Sequence, residues 1–311
     1  MNPENTWDAV IIGGGIAGLS AAIYLGRARH KTLVVSSGRS MATWEPDVQN
    51  YLGFPEGVSG EDLIKGGRRQ ARRYGVEFVE DEAQHAKIID GVFHVQGKAD
   101  SYAGRKVLLA TGIYHIPPDI PGVEECLGHS MFFCKDCDGH RVQRGRIAVF
   151  GHNDEAVEYA LGLLTYSPSV MIVTHAKAET WDEIHGAWLA EYEIPVCRGK
   201  IVEVEHEGCQ LRSVRLAGGE RVALDYLFTT RGDIYYNEIA RDLGAQTDES
   251  GEIVTDVCLM TTVPGLYAAG CVTAANCQMI IAAGQGAIAA QAINRKLLEE
   301  SLATHSLRRM R

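Results

Sequence analysis

No run of about twenty apolar residues occurs anywhere in the 311-residue chain, so no membrane-spanning helix and no membrane partner are expected. The opening stretch, Met1 to Asp8, lacks a basic segment followed by an apolar one, so no secretory signal is read and a cytoplasmic location is expected. In a reducing compartment, a framework of structural disulfides is not expected from the eight cysteines. Positive charge is also scarce. With 30 Lys and Arg against 40 Asp and Glu, the formal charge of −10 argues against nucleic-acid binding, which needs a cationic surface to displace counterions. Metal-ligand spacing is missing as well. His85, His94, His129, His140, His152, His175, His185 and His206 are scattered, and one Cys-x-x-Cys pair has no second to complete a zinc site, so no metal is expected.

What is present is ordinary globular material, 46% hydrophobic and 23% charged, in a chain long enough for two domains. Asp8 to Ile12 reads as a strand, Gly13 to Gly18 as a turn, Leu19 to Arg29 as a helix and Lys31 to Val35 as a second strand. The same unit recurs as a strand over Arg146 to Phe150, the turn Gly151-His-Asn-Asp-Glu-Ala156, a helix to Leu164 and a strand over Ser169 to Val173. Each is followed by an apolar strand ending in a small turn, Val107 to Gly112 and Tyr226 to Gly232, which suggests a duplicated nucleotide-binding fold. A third region, Gly265 to Leu298, reads as a strand, a turn and a long helix that Ala283-Gly-Gln-Gly286 begins or interrupts. The proline-rich stretch Ile116 to Pro121 is a candidate hinge, and the tail bearing Arg308, Arg309 and Arg311 a candidate mobile end.

Gly13, Gly15 and Gly18 match the dinucleotide fingerprint in its proper context, strand before and helix after. A pyrophosphate must approach backbone N–H groups at a helix N-terminus, and side chains there obstruct it. The acidic residue expected some twenty positions on is absent. Ser36 and Ser37 end the second strand, leaving hydroxyl or backbone groups to meet a ribose. In Cys134-Lys-Asp-Cys137, the two thiols can close a small disulfide, and Asp138 beside them can shuttle a proton to a leaving sulfur. Cys271 and Cys277 could form a second redox pair, but buried small hydrophobes are the favoured reading. Trp181 and Trp188, seven apart, fit one helix face and a core role. Arg68, Arg69, Arg72 and Arg73 form a basic helix face, ordinarily solvated, that could dock an acidic partner such as a ferredoxin.

The order and spacing of Gly13 to Gly18, Ala110-Thr111-Gly112, Cys134 to Gly139 and Gly265-Leu-Tyr-Ala-Ala-Gly270 resemble the low-molecular-weight thioredoxin reductases over nearly the whole chain. Asn50-Tyr-Leu-Gly-Phe-Pro55 is similar to another family segment, and Gln278 stands where the family has a glutamine beside the flavin. The resemblance implies an α/β fold of two Rossmann-like, three-layer ββα nucleotide-binding domains in the thioredoxin reductase architecture. It implies an FAD-binding domain made of residues 1–115 and 246–311, and a middle domain, 116–245, of the NAD(P)H type carrying the cysteine pair. It also implies a homodimer, with Gly13, Gly15, Gly18, Ser36, Asn50, Ala110, Thr111, Gly112, Gly270, Cys271 and Gln278 around FAD. Cys137 would then be the flavin-side thiol, Cys134 the exchanging thiol and Asp138 the acid–base.

Three departures shape the expected function. The family's NADPH motif Gly-x-Gly-x-x-Ala becomes Gly151-His-Asn153-Asp154-Glu155-Ala156, replacing a glycine and adding two carboxylates. The family's arginine cluster for the 2′-phosphate becomes Thr174-His175-Ala176 with Thr180. The family's ribityl-binding aspartate is Cys271. The expected activity is therefore an FAD-dependent disulfide oxidoreductase for which NADPH is disfavoured. Its donor would be ferredoxin or a second FAD in the vacated nicotinamide site, and its acceptor a small thioredoxin-like redox protein or other dithiol/disulfide substrate. A flavin-dependent dithiol oxidase passing electrons to oxygen, and a non-enzymatic flavin redox sensor, are the alternatives.

Overall fold

The computed structural model describes residues 6–175, 179–230 and 232–307. The chain divides into two compact units, one formed by the described parts of 1–114 and 234–311, the other by those of 115–233. In chain order the first unit opens with β1 (Thr6–Ile12), α1 (Ile16–Arg27), β2 (Thr32–Ser36), α2 (Gly60–Arg72), β3 (Glu77–Glu80), β4 (Ala83–Ile89), β5 (Val92–Gly97) and β6 (Ser101–Leu109). After the short crossing strand β7 (Ile113–His115) come β8 (Met131–Phe132), α3 (Lys135–Asp138), β9 (Ile147–Phe150), α4 (Asp154–Leu163), β10 (Val170–Thr174), α5 (Glu183–Glu191) and β11 (Val196–Arg198). The second unit ends with β12 (Ile201–Glu207), β13 (Gln210–Leu216), β14 (Arg221–Ala223) and β15 (Tyr226–Thr229). The return strand β16 (Asp233–Tyr235) pairs with β7, and α6 (Glu238–Asp242), β17 (Leu266–Ala268) and α7 (Met279–Ala303) complete the first unit.

The first unit is a twisted sheet whose parallel core runs β3-β2-β1-β6, with β17 continuing it beyond the carboxyl half of β6. The antiparallel hairpin β4–β5 joins the amino half of β6 instead. Strand alternation assigns the two faces. Ala9 and Ile11 of β1 point toward α1, α2 and α7, packing with Ala21, Leu25, Ala71, Ala290 and Ile293. Val10 and Ile12 point the other way, toward Phe93 and Val95 of β5 and toward Ile239 and Ala240 of α6. A central parallel strand buried on both faces needs a continuous apolar run, and Ala9, Val10 and Ile11 are completely buried. Each large apolar side chain so enclosed contributes about 2 kcal/mol.

The second unit repeats this plan. Its parallel sheet runs β11-β10-β9-β15-β8. Ile147 and Val149 pack on Ala156, Val157, Ala160 and Leu163 of α4, while Ala148 and Phe150 pack on Val204, Leu211 and Val214 of the β12–β14 meander. Both units are thus helices, parallel sheet and antiparallel meander in three layers, the α/β class expected from the sequence.

Several expectations need correction. The second crossing falls at Asp233/Ile234, twelve residues before the expected 245/246 boundary, because α6 and Ala245 bury their apolar side chains in the first unit's core. Gly284 and Gly286 neither begin nor interrupt α7, which runs unbroken from Met279 to Ala303. Gly286 is needed there because an added Cβ would overlap the carbonyl of Ala17, so α1 and α7 pack backbone to backbone. Trp181 and Trp188 do not share a helix face. Asp182 caps α5 by accepting the His185 N–H at 2.9 Å, which leaves Trp181 outside the helix, half-buried, and Trp188 exposed within it. Arg68 and Arg72 are not merely solvated, since both lie over the Phe78 ring, at 5.1 and 5.4 Å. The expected mobile end at Arg308, Arg309 and Arg311 and the replaced position Ala176 lie outside the described residues.

Candidate active site

In the first unit, Gly13, Ser36, Ala110 and Gly270 lie at the carboxyl edge of the parallel strands, where ligands bind in folds of this type. The turn after β1 holds Gly13 at φ 112°, and an added Cβ there would overlap the carbonyl of Ala110 at the end of β6. Gly18 is required for packing, because a Cβ there would overlap the Gly13 carbonyl. Gly15 differs from both. It forms the N-terminal boundary of α1 without a side-chain cap, and an added Cβ would meet nothing nearer than Ser40 Oγ at 3.5 Å. No acidic residue lies in the first turn of α1, so the positive end of the helix dipole faces an open cradle of the kind a pyrophosphate fills.

Ser36, Ala110 to Gly112 and Gly270 stand at the carboxyl ends of the strands beside β1 and beyond it. Ser36 ends β2 and accepts the Gly38 N–H at 3.2 Å. Ala110 donates its N–H to Ile12 O, the Thr111 hydroxyl donates to Tyr236 O at 2.7 Å, and Gly112 takes φ 68°. Gly270, at φ 86°, follows β17 and donates its N–H to Gln285 Oε1 at 2.7 Å. Asn50 and Gln278, 228 positions apart, meet through an Asn50 Nδ2 to Gln278 Oε1 hydrogen bond of 3.0 Å. The donor set fits an adenine dinucleotide, with backbone N–H groups at α1 for the pyrophosphate and hydroxyl and amide groups for its polar ends.

The favoured reading of Cys271 and Cys277 as buried small hydrophobes is overturned. They form a disulfide, with Cα atoms 4.9 Å apart, and Cys277 is exposed. The turn after Gly270 folds back so that its two ends lie side by side, and pairing follows from that return.

In the second unit, Cys134 and Cys137 are also disulfide-bonded, with Cα atoms 5.3 Å apart. They stand at the carboxyl end of β8, where the chain turns into α3, and the Cys137 N–H lies 3.1 Å from Cys134 Sγ. Asp138 is almost wholly buried and its carboxyl is pushed above the usual range by desolvation, with the Arg141 guanidinium opposing that rise. Arg141 donates to Asp138 Oδ1 at 2.9 Å and to Gly128 O at 3.1 Å, and its guanidinium lies 4.9 Å from the Phe132 ring centroid. The sequence reading missed Arg141, although its position three residues after Asp138 carried the signal of a same-face pair. Gly139 is needed because a Cβ would run into the Tyr166 ring. The Tyr159 hydroxyl, its pKa raised to about 12 by burial and then by nearby Glu155, Asp136 and Asp233, donates to Phe133 O at 3.0 Å and steadies the segment before Cys134.

The turn after β9 occupies the place in this unit that the Gly13–Gly18 turn holds in the first. Gly151 abuts Ala156 and Thr230 closely enough that a Cβ would overlap both. Asn153 is the N-cap of α4, its side-chain oxygen 3.3 Å from the Ala156 N–H, and Asp154 and Glu155 fill the first turn. The chain from Thr180 to Asp182 also lies on this turn. Thr180 N donates to His152 O at 2.8 Å, and Asp182 N donates to Asp154 Oδ1 at 2.8 Å. His185 Nδ1 stands 2.6 Å from Asp182 Oδ1 and 3.4 Å from Asp154 Oδ1, a trio whose carboxylates, Asp182 first through its hydrogen bond, raise the imidazole pKa. Sequence spacing gave no sign of this cluster, because Asp154 comes from a different element.

The sequence matches the model of the pyridine nucleotide-disulphide oxidoreductase family over residues 7–290. The chain belongs to that family. Thioredoxin reductase from Treponema pallidum is 32% identical over 301 residues, covering 93% of this chain and 96% of the relative. Thioredoxin reductase from Streptococcus pyogenes, a solved structure, is 25% identical, with TM-score 0.90 and coverage of 95% and 99%. The atypical thioredoxin reductase TRi from Desulfovibrio vulgaris Hildenborough is 34% identical, with TM-score 0.54 and coverage of 94% and 99%. This family member is thus a thioredoxin reductase-like flavin disulfide oxidoreductase, and the family implies FAD as its cofactor. Among the described residues, no helix is long and apolar enough to cross a membrane.

Proposed function

We propose that the chain exchanges electron pairs between FAD, held at the Gly13–Gly18 cradle, and the Cys134–Cys137 disulfide, and that its electrons come from a donor other than NADPH. The observation that carries the second half of this reading is the turn after β9. A nicotinamide dinucleotide needs free helix N–H groups for its pyrophosphate, and here the Ala156 N–H is shared between the Asn153 carbonyl at 3.0 Å and the Asn153 side-chain oxygen at 3.3 Å. Asp154 and Glu155 in the same turn would repel phosphate. The same obstacles oppose a second FAD at that turn, which favours a one-electron protein donor of the ferredoxin type.

The chemistry of the pair uses this chain's own groups. FAD, when bound, supplies the two-electron reservoir that opens the Cys134–Cys137 disulfide. Cys134, as thiolate, attacks an acceptor disulfide on a small thioredoxin-like protein and forms a mixed disulfide. Asp138, whose carboxyl is shifted by burial toward the protonated form, is the group beside the pair that would give a proton to the departing acceptor sulfur. Cys137 then attacks Cys134, re-forming the internal bond and releasing the second acceptor thiol, so two electrons leave with the acceptor.

Anaerobic mixing tests the donor. Reduced ferredoxin should bleach the flavin absorbance, whereas NADPH and NADH should leave it within a few per cent of its starting value after minutes. Rapid bleaching by either nicotinamide would reverse the donor assignment. Release of peroxide in air during dithiol turnover would instead mark an oxidase.

A further inference from the structure

The Cys271–Cys277 disulfide lies in the first unit, apart from the chemistry assigned to Cys134 and Cys137. We propose that it is a second, reversible thiol–disulfide centre, which exchanges with external dithiols through Cys277. This goes beyond the proposed function and does not depend on the donor to the first pair.

Four observations carry it. Cys277 is exposed, while Cys271 is half-buried, so an outside thiolate reaches one sulfur more readily than the other. The bridge spans only six positions, and the loop it closes is already held without it. Thr273 donates both its N–H and its hydroxyl to Gly270 O at 2.9 Å, and Gln285 Oε1 accepts the Gly270 N–H. Closing so short a loop adds less to stability than a bridge between distant segments would, so structural need is a weak reason for this one. Elsewhere Cys126, Cys197, Cys209 and Cys258 remain free, Cys209 exposed, so cysteine is not used as a general framework in this chain. Finally, Cys277 directly precedes Gln278, the N-terminal boundary of the 25-residue α7, whose first turn holds no acidic residue. The positive end of that helix favours a negatively charged sulfur.

The exchange balances as follows. A thiolate of the external dithiol attacks Cys277 Sγ, the Cys271–Cys277 bond breaks, and a mixed disulfide forms at Cys277. Cys271 leaves as thiolate and takes up the proton released by the attacking thiol. The second external thiol then attacks its own partner sulfur, closing the external disulfide and freeing Cys277. Two electrons pass from the external dithiol to the pair. They come to rest beside the dinucleotide cradle, since Gly270, next to Cys271, packs against Ala17 of the first turn of α1.

The test uses the full-length protein carrying Cys134→Ser and Cys137→Ser, so that only the second pair can exchange. Folded protein is alkylated before and after anaerobic treatment with dithiothreitol, and the labelled positions are located by mass spectrometry. Cys271 and Cys277 should be unlabelled in oxidised protein, both labelled after treatment, and unlabelled again after reoxidation with oxidised dithiothreitol. In the same background, Cys271→Ser should acquire a glutathione adduct at Cys277 from oxidised glutathione about 10-fold faster than Cys277→Ser acquires one at Cys271. The wild-type chain, alkylated in parallel, guards against a variant that fails to fold. Labelling of both positions before reduction, protection that persists until the protein is unfolded, or equal adduct rates in the two variants would each overturn the proposal. Absence of bound flavin would sink the FAD reading while leaving this labelling pattern intact, so the two can fail separately.

Discussion

Gly15 and Asn153 occupy the same place in two units built on the same plan, and they do opposite things to the helix they precede. At Gly15 the α1 terminus is left bare, with no side-chain cap and no acidic first turn. At Asn153 the α4 terminus is closed by its own amide, flanked by two carboxylates and bonded to the Thr180–Asp182 segment. The same layered plan therefore carries a bare helix end in one unit and a capped one in the other, because the residues that build the layers are distinct from those at the helix end. Gly151 and Ala156 allow the tight strand-to-helix turn, while Asn153 caps the helix that follows it.

The largest effect should separate packing glycines from ligand-facing ones. Gly13→Ala sets a Cβ into the Ala110 carbonyl at a position already at φ 112°, so it should cost about 3–5 kcal/mol and yield protein without flavin, checked by thermal unfolding and visible absorbance. Next comes the thiol chemistry of the second unit. Asp138→Asn should lower disulfide turnover about 100-fold, measured against a small protein disulfide. The pH dependence follows from the raised carboxyl of Asp138. A group whose value rises on folding contributes stability in full at low pH and loses it as pH climbs through that raised value. From about pH 4 upward, the unfolding midpoint should therefore shift in favour of the permanently neutral Asn variant, and the rate limb set by the acid should vanish with it. A shift in the opposite direction would show that Arg141 dominates burial at that carboxyl.

Smaller effects sharpen the contrast at the helix ends. Gly15→Ala meets no protein atom closer than 3.5 Å, so it should leave the unfolding midpoint almost unchanged. Flavin affinity should fall about 10-fold, equivalent to roughly 1.4 kcal/mol, as seen by equilibrium dialysis. Equal losses of stability and affinity would mean that this glycine serves packing after all. The mirror change, Asn153→Ala, removes only a cap and should cost about 1 kcal/mol, read from the denaturation midpoint.

Much of this was legible in the residues. The apolar run of β1, the glycine turns and the Cys134–Cys137 pair each declare themselves within a few positions, because strand alternation, positive φ and a two-residue thiol spacing are local demands. Arg141 was readable too, three residues beyond Asp138 on the same turn, and was overlooked. The second crossing was harder, because Glu238–Asp242 is polar at its ends and shows its allegiance only through Ile239 and Ala240, buried in the first unit's core. Gly286 looked like a helix breaker because only the facing backbone of Ala17 reveals why a side chain cannot fit.

The sequence by itself determined the layered plan of both units, the glycine at position 15, the capping asparagine at position 153 and the position of the first thiol pair. Tertiary structure alone decided that Cys271 bonds Cys277, that Asn50 meets Gln278, and that Thr180 and Asp182 lie on the β9 turn. The reason is physical. Periodicity and backbone dihedrals are written residue by residue, whereas a disulfide or a hydrogen bond between distant positions depends on where the chain returns, and that is fixed only when the apolar faces have found one another.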